Sequence, residues 1–178
     1  GGTFTRGTTR DEIAQAAAWC EANNRNCDTS QANDALPAHL RRVVDGRQIQ
    51  LDTVYDGARR VRKGMAEPET ADIRHWPGIR HPIVRTHGET GRNALYLGAR
   101  ANAAWIVGLP LDESDALLED LWSRVERPEH HWTQVWSEDD IVMWDNRCTM
   151  HRRDSWAATE IRIMHRTTTM GELPFFRS

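Results

Sequence analysis

Cysteines and long apolar runs are both scarce in this 178-residue sequence, and each scarcity excludes a class of protein. The three cysteines include no C-x-x-C pair, which argues against a disulfide framework and against a thiolate zinc site. No stretch approaches the roughly 18 consecutive apolar residues of a membrane-spanning helix, and the first residues lack the form of a signal peptide. We therefore expect a cytoplasmic protein in a reducing compartment.

An excess of charge of one sign is also lacking. The 23 Lys and Arg residues against 26 Asp and Glu residues leave a net charge of −3, so no broad basic field favours nucleic acid or an anionic membrane. The length and the 39% hydrophobic content fit one globular domain over residues 1–178. Most of the eight tryptophans are expected in its core, since large aromatic side chains dominate burial.

Helical periodicity occurs in the first 50 residues and once more in the second half of the chain. It predicts helices over residues 8–23, 34–46 and 112–125. In the third segment, apolar residues recur at three- and four-residue spacing behind Asp112 or Ser114, either of which could be the N-cap. This pattern predicts an amphipathic helix with one buried face.

Short β-favouring runs begin at His81, after residues 48–78, whose weak pattern predicts a long loop. HPIVRTH (81–87) and NALYLG (93–98) flank a turn with two glycines, which is typical of a hairpin. Three later segments are also predicted strands: HWTQVW (131–136), DIVMW (140–144) and IRIMHRTT (161–168). Together these elements predict a mainly β fold, a sandwich or barrel with flanking helices.

Two arginines in the last predicted strand indicate an anion site. Alternation along a strand places Arg162, Met164 and Arg166 on one face, with the two guanidiniums roughly 13 Å apart. A guanidinium presents a planar fork that suits a carboxylate or a sulfonate. Such a pair alone is typical of solvated surface arginines, so its weight comes from the motifs around it.

The order of these motifs resembles one known family. MWDNRCTMHRRD (143–154) followed by RIMHRTTTMG (162–171) resembles the carboxy-terminal signature of the TauD/TfdA family, the taurine and 2,4-dichlorophenoxyacetate dioxygenases. HPIVRTHGETGRNALYLG (81–98) resembles the family's preceding strand pair, and GLP (108–110) also matches. The resemblance covers residues 81–176 nearly continuously.

The resemblance implies a double-stranded β-helix (jelly roll) that uses Fe(II), 2-oxoglutarate and molecular oxygen to hydroxylate a small organic anion. By position, His151 matches the family's distal iron-binding histidine, and neutral imidazole suits Fe(II). Arg162 matches the arginine that binds the far carboxylate of 2-oxoglutarate, and Arg166 an arginine near the anionic group of the substrate. Thr29 matches a threonine that helps hold 2-oxoglutarate. Family members form homo-oligomers, and the WDNRCTMHRR motif is closer to the phenoxyacid-type members than to the taurine oxygenases.

The family's other two iron ligands form an H-x-D pair, and no H-x-D occurs in this sequence. The nearest imitation, at residues 87–89, lies in a turn where the family has no ligands. His87 is therefore predicted to be a turn or surface histidine. His130 and His131 are adjacent, so on a strand they would face opposite ways and could not bind one ion.

The resemblance leaves two placements of the amino-terminal part open. If CDTSQAN (27–33) corresponds to the family's GGDT…AN segment, the H-x-D pair would lie just before Gly1. If residues 8–23 instead match the family's first helix, a ligand-bearing stretch is absent between the two segments. In both cases we expect a longer protein to carry the H-x-D pair. The alternative hypothesis is a metal-free jelly-roll module that binds a small organic acid through its two arginines.

Overall fold

The computed structural model of the protein shows, in the residues that it describes, five strands in two small sheets and three α-helices. It describes residues 29–56, 59–100, 102–151, 157, 159 and 163–178. The helix predicted over residues 8–23 lies outside these ranges. In the described part of the chain, no helix has both the length and the apolar character needed to cross a membrane.

Two short helices open the described chain. Helix α1 spans Thr29–Asp34 and α2 spans Ala38–Val44. Pro37 is the N-cap residue of α2, where its missing N–H costs no helical hydrogen bond. Gly46 follows α2 with a φ of 73°, a left-handed conformation that glycine adopts without strain. The helix predicted around this segment is therefore confirmed.

The larger sheet has three antiparallel strands. Strand β1 (Gln48–Asp52) lies between β2 (Gly78–Pro82) and β5 (Ala104–Ile106). In this register Ile49, which is fully buried, lies opposite Ile106 of β5. The central position of β1 places the middle of the sheet against the core.

Strand β1 corrects the prediction of a long loop over residues 48–78. Ile49 and Gln50 are both buried, so neither face of the strand is left to solvent. The Gln50 amide donates to the backbone carbonyls of Ile73 and Trp76, at 3.1 and 3.3 Å. A buried polar side chain is stable when it is hydrogen-bonded in this way. Because three of its five residues are polar, the sequence of β1 did not indicate a buried strand.

The second sheet is the predicted hairpin. Strands β3 (Val84–Thr86) and β4 (Asn93–Leu95) pair antiparallel. The turn between them contains Gly91, whose φ of 73° again needs no strain at glycine. Thr86 and Asn93 form a cross-strand pair in which the threonine hydroxyl donates to the amide oxygen at 2.6 Å. The hairpin prediction is confirmed.

Helix α3 spans Leu111–Val125 and has the predicted buried stripe. That stripe consists of Leu118, Leu121, Trp122 and Val125. The predicted cap is wrong, because Pro110 is the N-cap residue and neither Asp112 nor Ser114 caps the helix. Ser114 is fully buried, and its hydroxyl oxygen accepts the N–H of Ile106 at 2.9 Å. Ser114 thus joins α3 to β5.

One apolar core connects these elements. The side chains that are at most 1% exposed come from helices, strands and the segments between them: Ala32, Val44, Ile49, Ile83, Val84, Leu95, Leu97, Ile106 and Leu121. Each fully buried Val, Leu or Ile among them contributes roughly 1.5–3 kcal/mol. Most tryptophans were expected here, but among the described residues only Trp122 is buried, whereas Trp132 and Trp136 are exposed.

The three later strand predictions are wrong for the residues described. Residues 131–137, 141–145 and 163–170 form no strand. Val135 and Ile141 are 83% and 84% exposed. An apolar segment becomes a strand only when a neighbouring strand pairs its N–H and C=O groups, and in the described chain none does so here. The prediction of sheets with a few helices is nevertheless confirmed.

His81 makes the stability of this fold depend on pH. Burial lowers the pKa of His81, and so does the charge of Arg85. The Nδ1–H of the neutral ring donates to the Pro82 carbonyl at 2.9 Å. Below pH ~6.5 the imidazole of His81 is protonated in the unfolded chain, whereas in the folded protein it stays neutral to a lower pH. The free energy of unfolding therefore decreases as the pH falls.

We expect the free energy of unfolding to be lower at pH 5.5 than at pH 7.5 in the unmodified protein. His81→Asn keeps a donor near the position of Nδ1 and should reduce that difference. Urea unfolding at the two pH values measures it, with His75→Asn, an exposed histidine, as the matched control. An unchanged pH dependence in His81→Asn would contradict the prediction.

Candidate active site

A tight turn at residues 145–149 precedes the predicted iron ligand. The Asp145 carboxylate accepts the backbone N–H of Arg147 at 2.8 Å. The Asp145 carbonyl accepts the N–H and the hydroxyl of Thr149, at 3.0 and 2.6 Å. An aspartate that accepts an N–H two residues further along forms an Asx turn. The DNRCT sequence therefore folds locally, two residues before His151.

A polar network with a buried histidine and an exposed glutamate holds this turn. We call it the Asp145 network, and it consists of His87, Glu89, Asp145 and Arg147. The Arg147 guanidinium donates to both Asp145 carboxylate oxygens, at 2.6 Å from Nη2 and 2.9 Å from Nε, and it also contacts the Glu89 carboxylate. The His87 ring, 4% exposed, lies with Nε2 3.1 Å from the Asp145 carboxylate. Its Nδ1 accepts the N–H of Thr90 at 3.3 Å, so Nε2 carries the proton.

The network fixes the charge of both its central members. Burial alone would raise the pKa of Asp145, but hydrogen bonds from His87 and Arg147 outweigh burial and hold that pKa well below its usual range. The hydrogen bonds to Asp145 raise the pKa of Arg147 above its usual value. Asp145 is thus an anion and Arg147 a cation at neutral pH.

A metal ion does not fit the Asp145 network. Donor atoms of His87, Asp145 and Cys148 lie within 4.8 Å of one another, the one such group of three found in the described ranges. Both carboxylate oxygens of Asp145 already accept hydrogen bonds from Arg147. A cation would have to displace that guanidinium and remain beside its charge. His87 is accordingly a turn histidine, as predicted, and it is buried.

His151 follows the turn with an exposed ring. The ring packs on Trp144, with 4.9 Å between centroids. In the part of the chain that the structure describes, neither ring nitrogen has a hydrogen-bond partner. The imidazole therefore fits a metal ligand in chemistry and accessibility. It supplies one ligand, and the group of three described above does not include it.

Thr29 lies against the same turn. It is 8% exposed, and its N–H and hydroxyl both donate to the Cys148 carbonyl, at 2.6 and 2.9 Å. The structure thus brings two of the predicted site residues to one turn, because Cys148 lies three positions before His151. The single hydroxyl hydrogen of Thr29 is taken by Cys148. Its role with 2-oxoglutarate stays a prediction.

The two predicted arginines are not joined to this turn by any described contact. Arg162 lies outside the described residues. Arg166 is exposed, in a segment that forms no strand. The structure therefore does not place Arg166 on a strand, and it does not test the position of Arg162.

Sequence reasoning missed the Asp145 network. The spacing of Asp145 and Arg147 in DNR is an Asx-turn signal that could have revealed the local half of it. The partner His87 is 58 positions away from Asp145, and no local pattern predicts that contact.

Known proteins resemble this chain over most of its length. Residues 21–168 match the family described as taurine catabolism dioxygenase TauD, TfdA family. The alpha-ketoglutarate-dependent 2,4-dichlorophenoxyacetate dioxygenase of Burkholderia sp. (strain RASC) is 32% identical over 145 residues, which are 82% of this chain and 47% of the relative. The alpha-ketoglutarate-dependent sulfate ester dioxygenase of Pseudomonas putida is 37% identical over 156 residues, 88% of this chain and 43% of the relative.

A solved structure resembles the fold. The crystal structure of AAD-2 in complex with Mn(II) and N-oxalylglycine has a TM-score of 0.61 and 25% identity. The match covers 75% of this chain and 51% of that one. The chain thus spans about half the length of the known relatives that it matches.

Proposed function

Since the chain belongs to the TauD/TfdA dioxygenase family, we propose that the protein is an Fe(II)- and 2-oxoglutarate-dependent dioxygenase. It hydroxylates a small organic anion and releases succinate and CO2. The observation that carries this proposal is the exposed imidazole of His151, two residues after the turn at residues 145–149 and in the segment that matches the family. Relatives named for dichlorophenoxyacetate, a sulfonate and a sulfate ester support a phenoxyacid, sulfonate or sulfate ester as the substrate class.

We propose that the two antiparallel sheets belong to a jelly roll formed by a single TauD/TfdA-like domain that includes residues 1–178. The fold similarity to AAD-2 supports this architecture. The proposal also includes a cytoplasmic location, from the cysteine pattern, and a homo-oligomeric state, from the family.

His151 would hold the iron through a neutral ring nitrogen, with Trp144 packed on the ring. Arg162 would bind the far carboxylate of 2-oxoglutarate, and Arg166 the anionic group of the substrate, through the fork geometry of the guanidinium. Bound Fe(II) with 2-oxoglutarate supplies the oxidising chemistry, in which one oxygen atom enters the substrate and the other enters succinate. The protein's own task is to orient the C–H bond and exclude water.

The test uses the full-length protein with Fe(II) and 2-oxoglutarate, first without oxygen. A visible charge-transfer band should form, and addition of oxygen with a panel of phenoxyacids, sulfonates and sulfate esters should yield succinate. The proposal fails if neither band nor succinate forms. Calorimetric binding of an organic acid that chelators do not affect would then favour the metal-free module, the reading that the absent H-x-D pair supports.

The two arginines should have separable effects. Arg162→Ala should raise the KM for 2-oxoglutarate by about 10- to 100-fold, because a charge-assisted hydrogen bond contributes roughly 1.5–3 kcal/mol. Arg166→Ala should raise the KM for the prime substrate by a similar factor. Succinate formation at varied concentrations of each compound measures both constants, with Lys at each position as the control for charge without the fork. Equal effects of both alanine variants on both constants would contradict the assignment.

A further inference from the structure

We infer that His87 and Thr29 are positioning residues that fix the turn presenting His151. One acts through the Asp145 side chain and the other through the Cys148 carbonyl. The inference rests on the proposed function, since it concerns the proposed iron ligand.

His87 is itself rigidly held. Its ring is buried, and Nδ1 accepts the N–H of Thr90 inside the hairpin turn. Its backbone N–H donates to the Arg92 carbonyl at 2.8 Å, which closes that turn. The Nε2–H of this fixed ring therefore ties the Asp145 carboxylate to the hairpin turn, whereas the other donors to that carboxylate come from Arg147, inside the turn itself.

The Asp145 carboxylate connects His87 to the backbone of the turn. One of its oxygens accepts from His87 and the other from the N–H of Arg147. A rotated carboxylate would lose one of the two bonds, and the Asx turn depends on the second. His87 and the turn are thus coupled through a single planar group.

Thr29 anchors the turn from the opposite end. Its N–H and its hydroxyl converge on the Cys148 carbonyl, which fixes the peptide between Cys148 and Thr149. Thr149 is buried, and Met150 packs against the core. The backbone therefore reaches His151 from consecutive residues that are each held in place. A metal ligand must stay within about 0.5 Å of its productive position, and this double attachment provides that restraint.

The experiment compares amide replacements of His87 in the full-length protein. His87→Gln keeps an N–H near the position of Nε2, whereas the shorter His87→Asn does not reach Asp145. We expect His87→Asn to weaken Mn(II) binding about tenfold, at the lower end of the roughly 10- to 100-fold cost of losing a support of a metal ligand. His87→Gln should stay within about threefold of the unmodified protein. His75→Asn, an exposed histidine, is the matched control.

A spectroscopic readout separates positioning from stability. Mn(II) affinity is measured by electron paramagnetic resonance without 2-oxoglutarate, and the charge-transfer band is recorded with Fe(II) and 2-oxoglutarate under anaerobic conditions. The melting temperature of each variant is measured alongside. His87→Asn should shift the band maximum, and His87→Gln should leave it in place. Equal affinities in both variants, or equal losses in both, would overturn the inference.

Thr29 provides a second pair of variants, which decides the matter if His87→Asn fails to fold. Thr29→Ser keeps the hydroxyl donor to Cys148, and the isosteric Thr29→Val lacks it. Weaker Mn(II) binding in the valine variant alone supports the inference, and unchanged binding in both overturns it. Absence of Mn(II) binding and of the band in the unmodified protein would instead contradict the proposed function itself.

Discussion

Replacing His151 with alanine is expected to abolish succinate formation and to weaken Fe(II) binding more than about 100-fold. The loss should exceed the roughly 10- to 100-fold cost of removing a partner of a metal ligand, because the ligand itself is removed. Stability should change little, within ~0.5 kcal/mol, since the ring is exposed and packs on Trp144.

Three measurements check this expectation: Fe(II) affinity, succinate formation with the best substrate, and urea unfolding. His75→Ala is the matched control, because it removes an exposed imidazole outside the turn. Added imidazole should restore part of the metal binding in His151→Ala, as it can occupy the position of the missing ring. A variant that turns over substrate at the normal rate would remove His151 from the iron site.

Asp145→Ala should destabilise the fold by about 3 kcal/mol, because it leaves the cation of Arg147 largely buried without its main partner. The side chains of Asp145 and Arg147 are 11% and 13% exposed, so water compensates little. Removal of both side chains relieves the unpaired charge. The double variant Asp145→Ala with Arg147→Ala should therefore cost clearly less than the sum of the two single changes.

Urea unfolding of the four proteins measures this coupling, and strictly additive changes would contradict it. The pH dependence gives an independent check. Because the pKa of Asp145 is lowered in the folded state, its contribution is present above its unfolded pKa of about 3.8 and is lost as the pH falls below that value. The single variant should show a weaker loss of stability in acid than the unmodified protein.

Local signals in the sequence predicted the elements that depend on local contacts. The hairpin of β3 and β4 follows from two β-favouring runs around a turn with Gly91, and the stripe of α3 follows from its spacing. Strand β1 was missed because its partner strands, β2 and β5, lie far along the chain and because Gln50 is buried by hydrogen bonds to distant carbonyls. For residues 131–145 the error was the opposite, because strands were predicted where none form. A strand-like pattern without a paired neighbour remains irregular.

The candidate site divides in the same way. The order of motifs identified the family, which the comparisons confirm, and singled out His151 and Thr29. The contacts that hold these residues could not be predicted, because the partners are far apart in the sequence. His87 and Asp145 are separated by 58 positions, and Thr29 and Cys148 by 119. Such contacts are decided by the packing of the whole core.

The bond between Thr29 and the Cys148 carbonyl also has a consequence for the order of folding. Closing a loop of 119 residues has an entropic cost that grows with loop length. One hydrogen bond cannot offset that cost until other interactions bring the ends of the loop together. The hairpin and α3, built from near neighbours, can form earlier. We therefore expect the geometry around His151 to be completed late in folding, after the elements built from near neighbours.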